Sequence, residues 1–252
     1  LRRLAEIGAD GVHLDKLFGH PLDFNPRLKS SPDRAMHEGI LACVEEILAA
    51  CRQVNPEFCI SYENNWDRLM SYSDVCWWGG GHSALKEVFP QWAATMGLEQ
   101  PYAYNAANLA VLRGHNLMVG PANYTRGMDY EPMLPLFRYV GEVVRIRAEL
   151  HGVLSRGRLL CASEEPFRLQ EPPLSLGGPF ATAPNARWTV FQDLESGRRA
   201  AVLANLGGEP LRAVRVGFRE PPAARCNVYE PFEDARRARL PLTVSIPPER
   251  FV

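Results

Sequence analysis

Over the first 150 residues, short apolar runs alternate with longer stretches whose hydrophobic positions recur every three or four residues. Leu1, Leu4 and Ile7 have helical spacing and stop at Gly8, and Gly11-Val12-His13-Leu14 then predicts a strand that closes on Asp15. Met36, Ile40, Cys43, Val44, Ile47, Leu48 and Cys51 predict a long amphipathic helix, opened by Ser31-Pro32-Asp33 with Ser31 or Asp33 as cap. Asn55-Pro56 breaks it. Phe58-Cys59-Ile60-Ser61-Tyr62 predicts a second strand, which delivers another carboxylate, Glu63, at its exit. Trp66 to Tyr72 reads as a short helix or turn, and Val75-Cys76-Trp77-Trp78 as a third strand closed by Gly79-Gly80-Gly81. The pattern then predicts a helix over 83–96, a short strand over 99–104, a helix over 105–113, a strand over 116–120 and a helix over about 132–149. Repetition of strand, loop and helix is the mark of a parallel α/β architecture.

After residue 152 the period changes to short strand-like runs, among them Trp188-Thr189-Val190-Phe191-Gln192 and Ala213-Val214-Arg215-Val216-Gly217-Phe218. Turns such as Glu195-Ser196-Gly197 separate them, with no long helical pattern between. This predicts two domains: 1–152 as an α/β part and 153–252 as an all-β antiparallel sandwich. The five strands of the first part have the spacing of the later units of an eight-stranded (β/α)8 barrel. A whole barrel takes about 250 residues, so the early units are expected upstream of Leu1, where the sequence starts inside a helix. The competing architecture is an open doubly wound sheet, which usually shows a glycine-rich first turn; no G-x-G-x-x-G pattern occurs.

Composition narrows the function classes. Of 252 residues, 46% are hydrophobic and 23% charged, enough for a large core and unlike a disordered chain. Twenty-eight Lys and Arg against 29 Asp and Glu leave a net charge of -1, so there is no basic field for phosphates and nucleic acid is not an expected partner. Six scattered cysteines without paired spacing predict neither a disulfide scaffold nor a metal motif, and fit a reducing, cytoplasmic location. No apolar run reaches the roughly 20 residues of a membrane helix, so no membrane partner is expected. The oligomeric state is left open.

The chemistry concentrates at strand exits, because substrates meet side chains at the C-terminal edge of parallel strands. Asp15 and Glu63 end neighbouring strands and form the candidate catalytic pair, the bland alternatives being a cap for Asp15 and a surface ion pair for Glu63. Paired carboxylates suit glycosidic bond cleavage: about 5–5.5 Å apart in retaining enzymes, about 6.5–9.5 Å in inverting ones. Adjacent strands favour retention. His13 alternates with Asp15 onto one strand face, as a substrate-binding side chain or a packed core imidazole, with no closely spaced partners in the sequence to make it a metal ligand, and Lys16 adds a cation. Asp67 and Arg68 follow Glu63, either to bind hydroxyls or, for Asp67, to act as the acid. Trp66, Trp77 and Trp78 offer aromatic platforms for a sugar ring. His82, Tyr104, Asn105, Asn123 and Tyr124 offer hydrogen bonds from later loops. No cofactor or metal is required by this mechanism. Serine-hydrolase elbows, H-E-x-x-H helices and zinc-deaminase motifs are absent.

The stretch Gly8-Ala9-Asp10-Gly11-Val12-His13-Leu14-Asp15 resembles the fourth-strand region of retaining glycoside hydrolase barrels related to α-galactosidases and α-amylases. The resemblance implies Asp15 as nucleophile and, by the amylase-like pattern, Glu63 as acid/base, with an α-linked glycoside or oligosaccharide as substrate. The galactosidase-like acid after the sixth strand has no counterpart, since Gly79-Gly80-Gly81-His82 stands there. The arginine that amylase-like enzymes carry two residues before the nucleophile is replaced by His13, and their His-Asp pair at the seventh strand by Tyr102-Ala103-Tyr104-Asn105. The resemblance covers the half-barrel to about residue 150 and agrees with a trailing all-β domain. The alternative is a noncatalytic carbohydrate-binding protein on a degenerate hydrolase barrel.

Overall fold

The computed structural model describes residues 1–15, 21–63, 68–73, 75–77, 88–90, 92–98, 102–119, 131–163, 174–178, 183–219 and 224–252. The chain divides into two compact units, Leu1–Gly80 with Trp92–Thr95, and Gly81–Gln91 with Met96–Val252. A parallel sheet interleaved with helices, barrel-like in its strand order, is followed by antiparallel sheets of a sandwich-like kind. No helix among the described residues is long and apolar enough to cross a membrane.

In the first unit, α1 (Arg2–Glu6) leads through Gly8, at φ 95°, into β1 (Gly11–Leu14). The long helix α2 (Pro32–Arg52) crosses over to β2 (Cys59–Glu63), and a 3-10 turn at Leu69–Ser71 leads to β3 (Val75–Trp77). Proline at the first position of α2 sacrifices an amide that has no intrahelical acceptor there, so it fits without loss. Val44, Leu48 and Cys51 of the expected stripe of α2 are buried together with Ala35 and Leu41, while Met36, Ile40 and Ile47 are half-buried and Cys43 is exposed, so the buried face is turned slightly from the expected one. The register Gly11↔Cys59, Val12↔Ile60, His13↔Ser61 and Leu14↔Tyr62 is parallel, and β3 continues it with Ser61↔Val75 and Glu63↔Trp77.

The sequence pattern misplaces the next strand. A helix was expected over 83–96 and a strand over 99–104, but β4 runs over Ala93–Leu98 and α3 (Tyr104–Arg113) starts where that strand was to end. Alanine, methionine and leucine favour helix locally. Pairing to β3 through Val75↔Ala93 and Cys76↔Ala94, with Ala94 and Leu98 buried, overrides that preference. Residues 83–87 of the expected helix lie outside the described residues.

In the second unit, α3 ends at Gly114 in the left-handed conformation, which L side chains rarely adopt, and β5 (Asn116–Val119) follows. Helix α4 (Leu134–Glu149) runs into one π-helical turn at His151–Ser155. The antiparallel strands are β6 (Arg158–Ala162), β7 (Leu174–Gly177), β8 (Ala186–Gln192), β9 (Arg199–Asn205), β10 (Leu211–Phe218), β11 (Arg225–Val228), β12 (Arg236–Arg239), β13 (Leu242–Ile246) and β14 (Arg250–Phe251). They form sheets in the orders β14-β9-β8-β6, β13-β10-β7 and β11-β12. One core is built jointly by helices and strands: Val111 of α3, Leu136, Tyr139 and Val143 of α4, and Phe191, Val202 and Phe251 of the sheet. A second core, with Val190, Leu203, Val214 and Ile246, lies between the two larger sheets.

Candidate active site

The candidate site belongs to the first unit and follows from its register. Parallel strands lie about 4.8 Å apart, and alternate residues share a face. Ile60, Tyr62 and Cys76 occupy one face and are buried, so the face carrying His13, Ser61, Glu63 and Trp77 is the other. One step beyond Leu14↔Tyr62, the same register brings Asp15 beside Glu63.

The side chains meet as that register requires. A carboxylate oxygen of Asp15, one of Glu63 and a ring nitrogen of His13 all lie within 4.8 Å of one another. Asp15 is exposed, while His13 and Glu63 are half-buried. Two contacts fix the imidazole: Nδ1 is 3.0 Å from the Ser61 hydroxyl, and the ring stacks on Trp77 with centroids 4.3 Å apart and planes 25° from parallel. Behind this rim, burial reinforced by the Glu63 charge pushes the Cys76 thiol up to about 12. Cys76 is therefore a protonated, inert thiol at neutral pH.

Of the other sequence candidates, three fall among the described residues. Arg68 is described just before the 3-10 turn of the first unit. Tyr104 and Asn105 open α3 in the second unit: Tyr104 meets Tyr139 edge-on at 5.5 Å, the Arg250 guanidinium lies over its ring at 4.9 Å, and the Asn105 side chain donates to the Leu206 carbonyl at 3.0 Å. Lys16, Trp66, Asp67, Trp78, His82, Asn123 and Tyr124 lie outside the described residues. A cavity of about 1100 Å³ belongs to the second unit, lined by Leu150, Val202, Val216, Val228 and Leu240 among others. It contains none of the three clustered residues.

The strand-exit pattern marks Asp15, Glu63 and His13 but not Ser61. The signal was present in principle, since Ser61 stands two residues before Glu63 as His13 stands two before Asp15.

No family model and no curated protein matches the chain. Among solved structures, a noncanonic maltogenic alpha-amylase from Thermotoga neapolitana is similar with a TM-score of 0.49 and 12% identity, over 98% of this chain and 59% of that one. This chain thus spans less than two thirds of the length of the structure it matches.

Proposed function

We propose that this chain carries the later strands of a (β/α)8 glycoside hydrolase that cleaves α-linked sugars with retention of configuration. The observation that carries the reading is the approach of Asp15 and Glu63 oxygens to within 4.8 Å at the exits of adjacent parallel strands. Such closeness favours direct attack by a carboxylate over activation of an intervening water, which needs a wider gap. An Asp15 oxygen attacks the anomeric carbon while Glu63 protonates the departing glycosidic oxygen. Glu63, now a carboxylate, then takes a proton from water, whose oxygen displaces Asp15 and regenerates both groups. The flat stack of His13 on Trp77 borders this point and offers an aromatic wall to the apolar C–H face of a sugar. The α-linkage is supported by the resemblance of the Gly8-to-Asp15 stretch.

The test is hydrolysis of aryl α-glycosides by the full chain, with product configuration read by NMR. Asp15→Asn is expected to abolish turnover while leaving the circular dichroism spectrum unchanged. Glu63→Gln is expected to lower kcat by about 10²–10⁴-fold on substrates whose leaving group needs a proton, with azide rescue confined to substrates whose leaving group needs none, where attack on the glycosyl-enzyme limits turnover. Unchanged turnover in Asp15→Asn would remove it as nucleophile. Oligosaccharide binding without any turnover by the unaltered chain would assign a binding role instead.

A further inference from the structure

We propose that His13, Asp15 and Glu63 also bind a divalent transition-metal ion, and that the bound ion blocks the carboxylate pair. Binding rests on the geometry of the cluster alone; the blocking rests on the hydrolase reading.

The donor set is one imidazole nitrogen and two carboxylate oxygens, contributed by neighbouring strands whose spacing the β1–β2 ladder fixes. An imidazole among the ligands suits zinc or cobalt, whereas magnesium and calcium take oxygen donors. A tetrahedral ion with bonds of about 2.0–2.1 Å holds its ligand atoms about 3.4 Å apart. The three donors already lie within 4.8 Å of one another, so shifts of about 1 Å bring them to that spacing.

Support from outside the cluster points the same way. Metal-binding imidazoles usually engage their second nitrogen in a hydrogen bond that sets tautomer and ring direction. Ser61 supplies this partner at Nδ1, 3.0 Å away, and Trp77 holds the ring plane by stacking. In the tautomer that donates from Nδ1 to Ser61, the lone pair of Nε2 is available to an ion. Such an ion would draw on the oxygen that attacks the sugar and on the oxygen that carries the acid proton, so metal and glycoside exclude each other.

Cobalt(II) chloride titrated into the full chain provides the test, because its visible spectrum reports geometry and distinguishes nitrogen and oxygen ligands from thiolates. One ion per chain is expected, without a thiolate charge-transfer band. His13→Gln and Glu63→Gln should each weaken binding at least about 10-fold, and Ser61→Ala, which keeps the ring, by about 10-fold. Equal affinity in the unaltered chain and His13→Gln would overturn the site. So would a thiolate band that disappears in Cys43→Ser, the exposed cysteine. For the blocking, cobalt or zinc should inhibit aryl α-glycoside hydrolysis, with recovery on adding EDTA. Turnover that persists with the ion bound would overturn the blocking. Cobalt bound by His13 in a chain with no turnover of any glycoside would leave the metal site standing and remove the hydrolase reading.

Discussion

Asn205 shows how much a single side chain settles in the antiparallel part. Only 1% exposed, its amide nitrogen donates to the carbonyls of Glu209, Ile246 and Pro247 at 2.7, 3.3 and 3.2 Å, while its oxygen accepts from the Gly207 amide at 3.0 Å. Asn205→Ala would leave buried backbone groups without partners, for a loss of about 3 kcal/mol. The midpoint of urea unfolding should fall accordingly, and an unchanged midpoint would refute this account. Nothing in the sequence marks Asn205 beyond its place at the end of a strand-like run. Its partners come from the following turn and from a segment about forty residues away, so its role exists only after folding. Asp15 and Glu63 were legible for the opposite reason: each directly ends an apolar run, so strand polarity alone predicts the rim on which they stand.

Among elements, β1 depends most on a residue without a side chain. A Cβ built on Gly11 would lie 2.4 Å from the Cys59 sulfur and 2.7 Å from the Cys59 carbonyl oxygen, inside any allowed contact. Gly11→Ala must therefore push β1 from β2 at their first paired position and loosen the ladder that aligns Asp15 with Glu63. A chain that remains folded by circular dichroism but has lost glycoside turnover and cobalt binding together is the expected result. Retention of both would show that the register tolerates the methyl group. The sequence located β1, β2 and β3 because their apolar runs are short and punctuated. It displaced β4, whose Ala93-Ala94-Thr95-Met96 is locally helix-prone and becomes a strand through pairing with β3. It also passed over β12, since Arg236-Arg237-Ala238-Arg239 has no apolar alternation and is held extended by its ladder with β11.

At the scale of the whole molecule, acid sensitivity follows from carboxylates engaged by local donors. The amides of Ser196 and Glu195 hold the Asp193 carboxyl below the usual range, and Arg145 with the Phe232 amide does the same for Glu142. Both groups titrate lower folded than unfolded. The unfolded chain therefore takes up more protons as pH falls through the normal carboxylate range, about 4. The stabilisation is present at neutral pH and is lost on acidification. Thermal midpoints should decline below about pH 4, and the decline should be shallower in Asp193→Asn; identical slopes would exclude that carboxylate as a source. The broad plan, parallel α/β then antiparallel β, was legible because hydrophobic period changes near residue 152. The joint core was not, because periodicity shows that a helix has an apolar face without showing what covers it. Leu136, Tyr139 and Val143 of α4 are covered together with Phe191, Val202 and Phe251 from the strands. A chain cut near residue 152 would leave α4 with an uncovered greasy flank. The apolar face of α4 and the strands that cover it therefore fold as one piece, and neither is stable in water without the other.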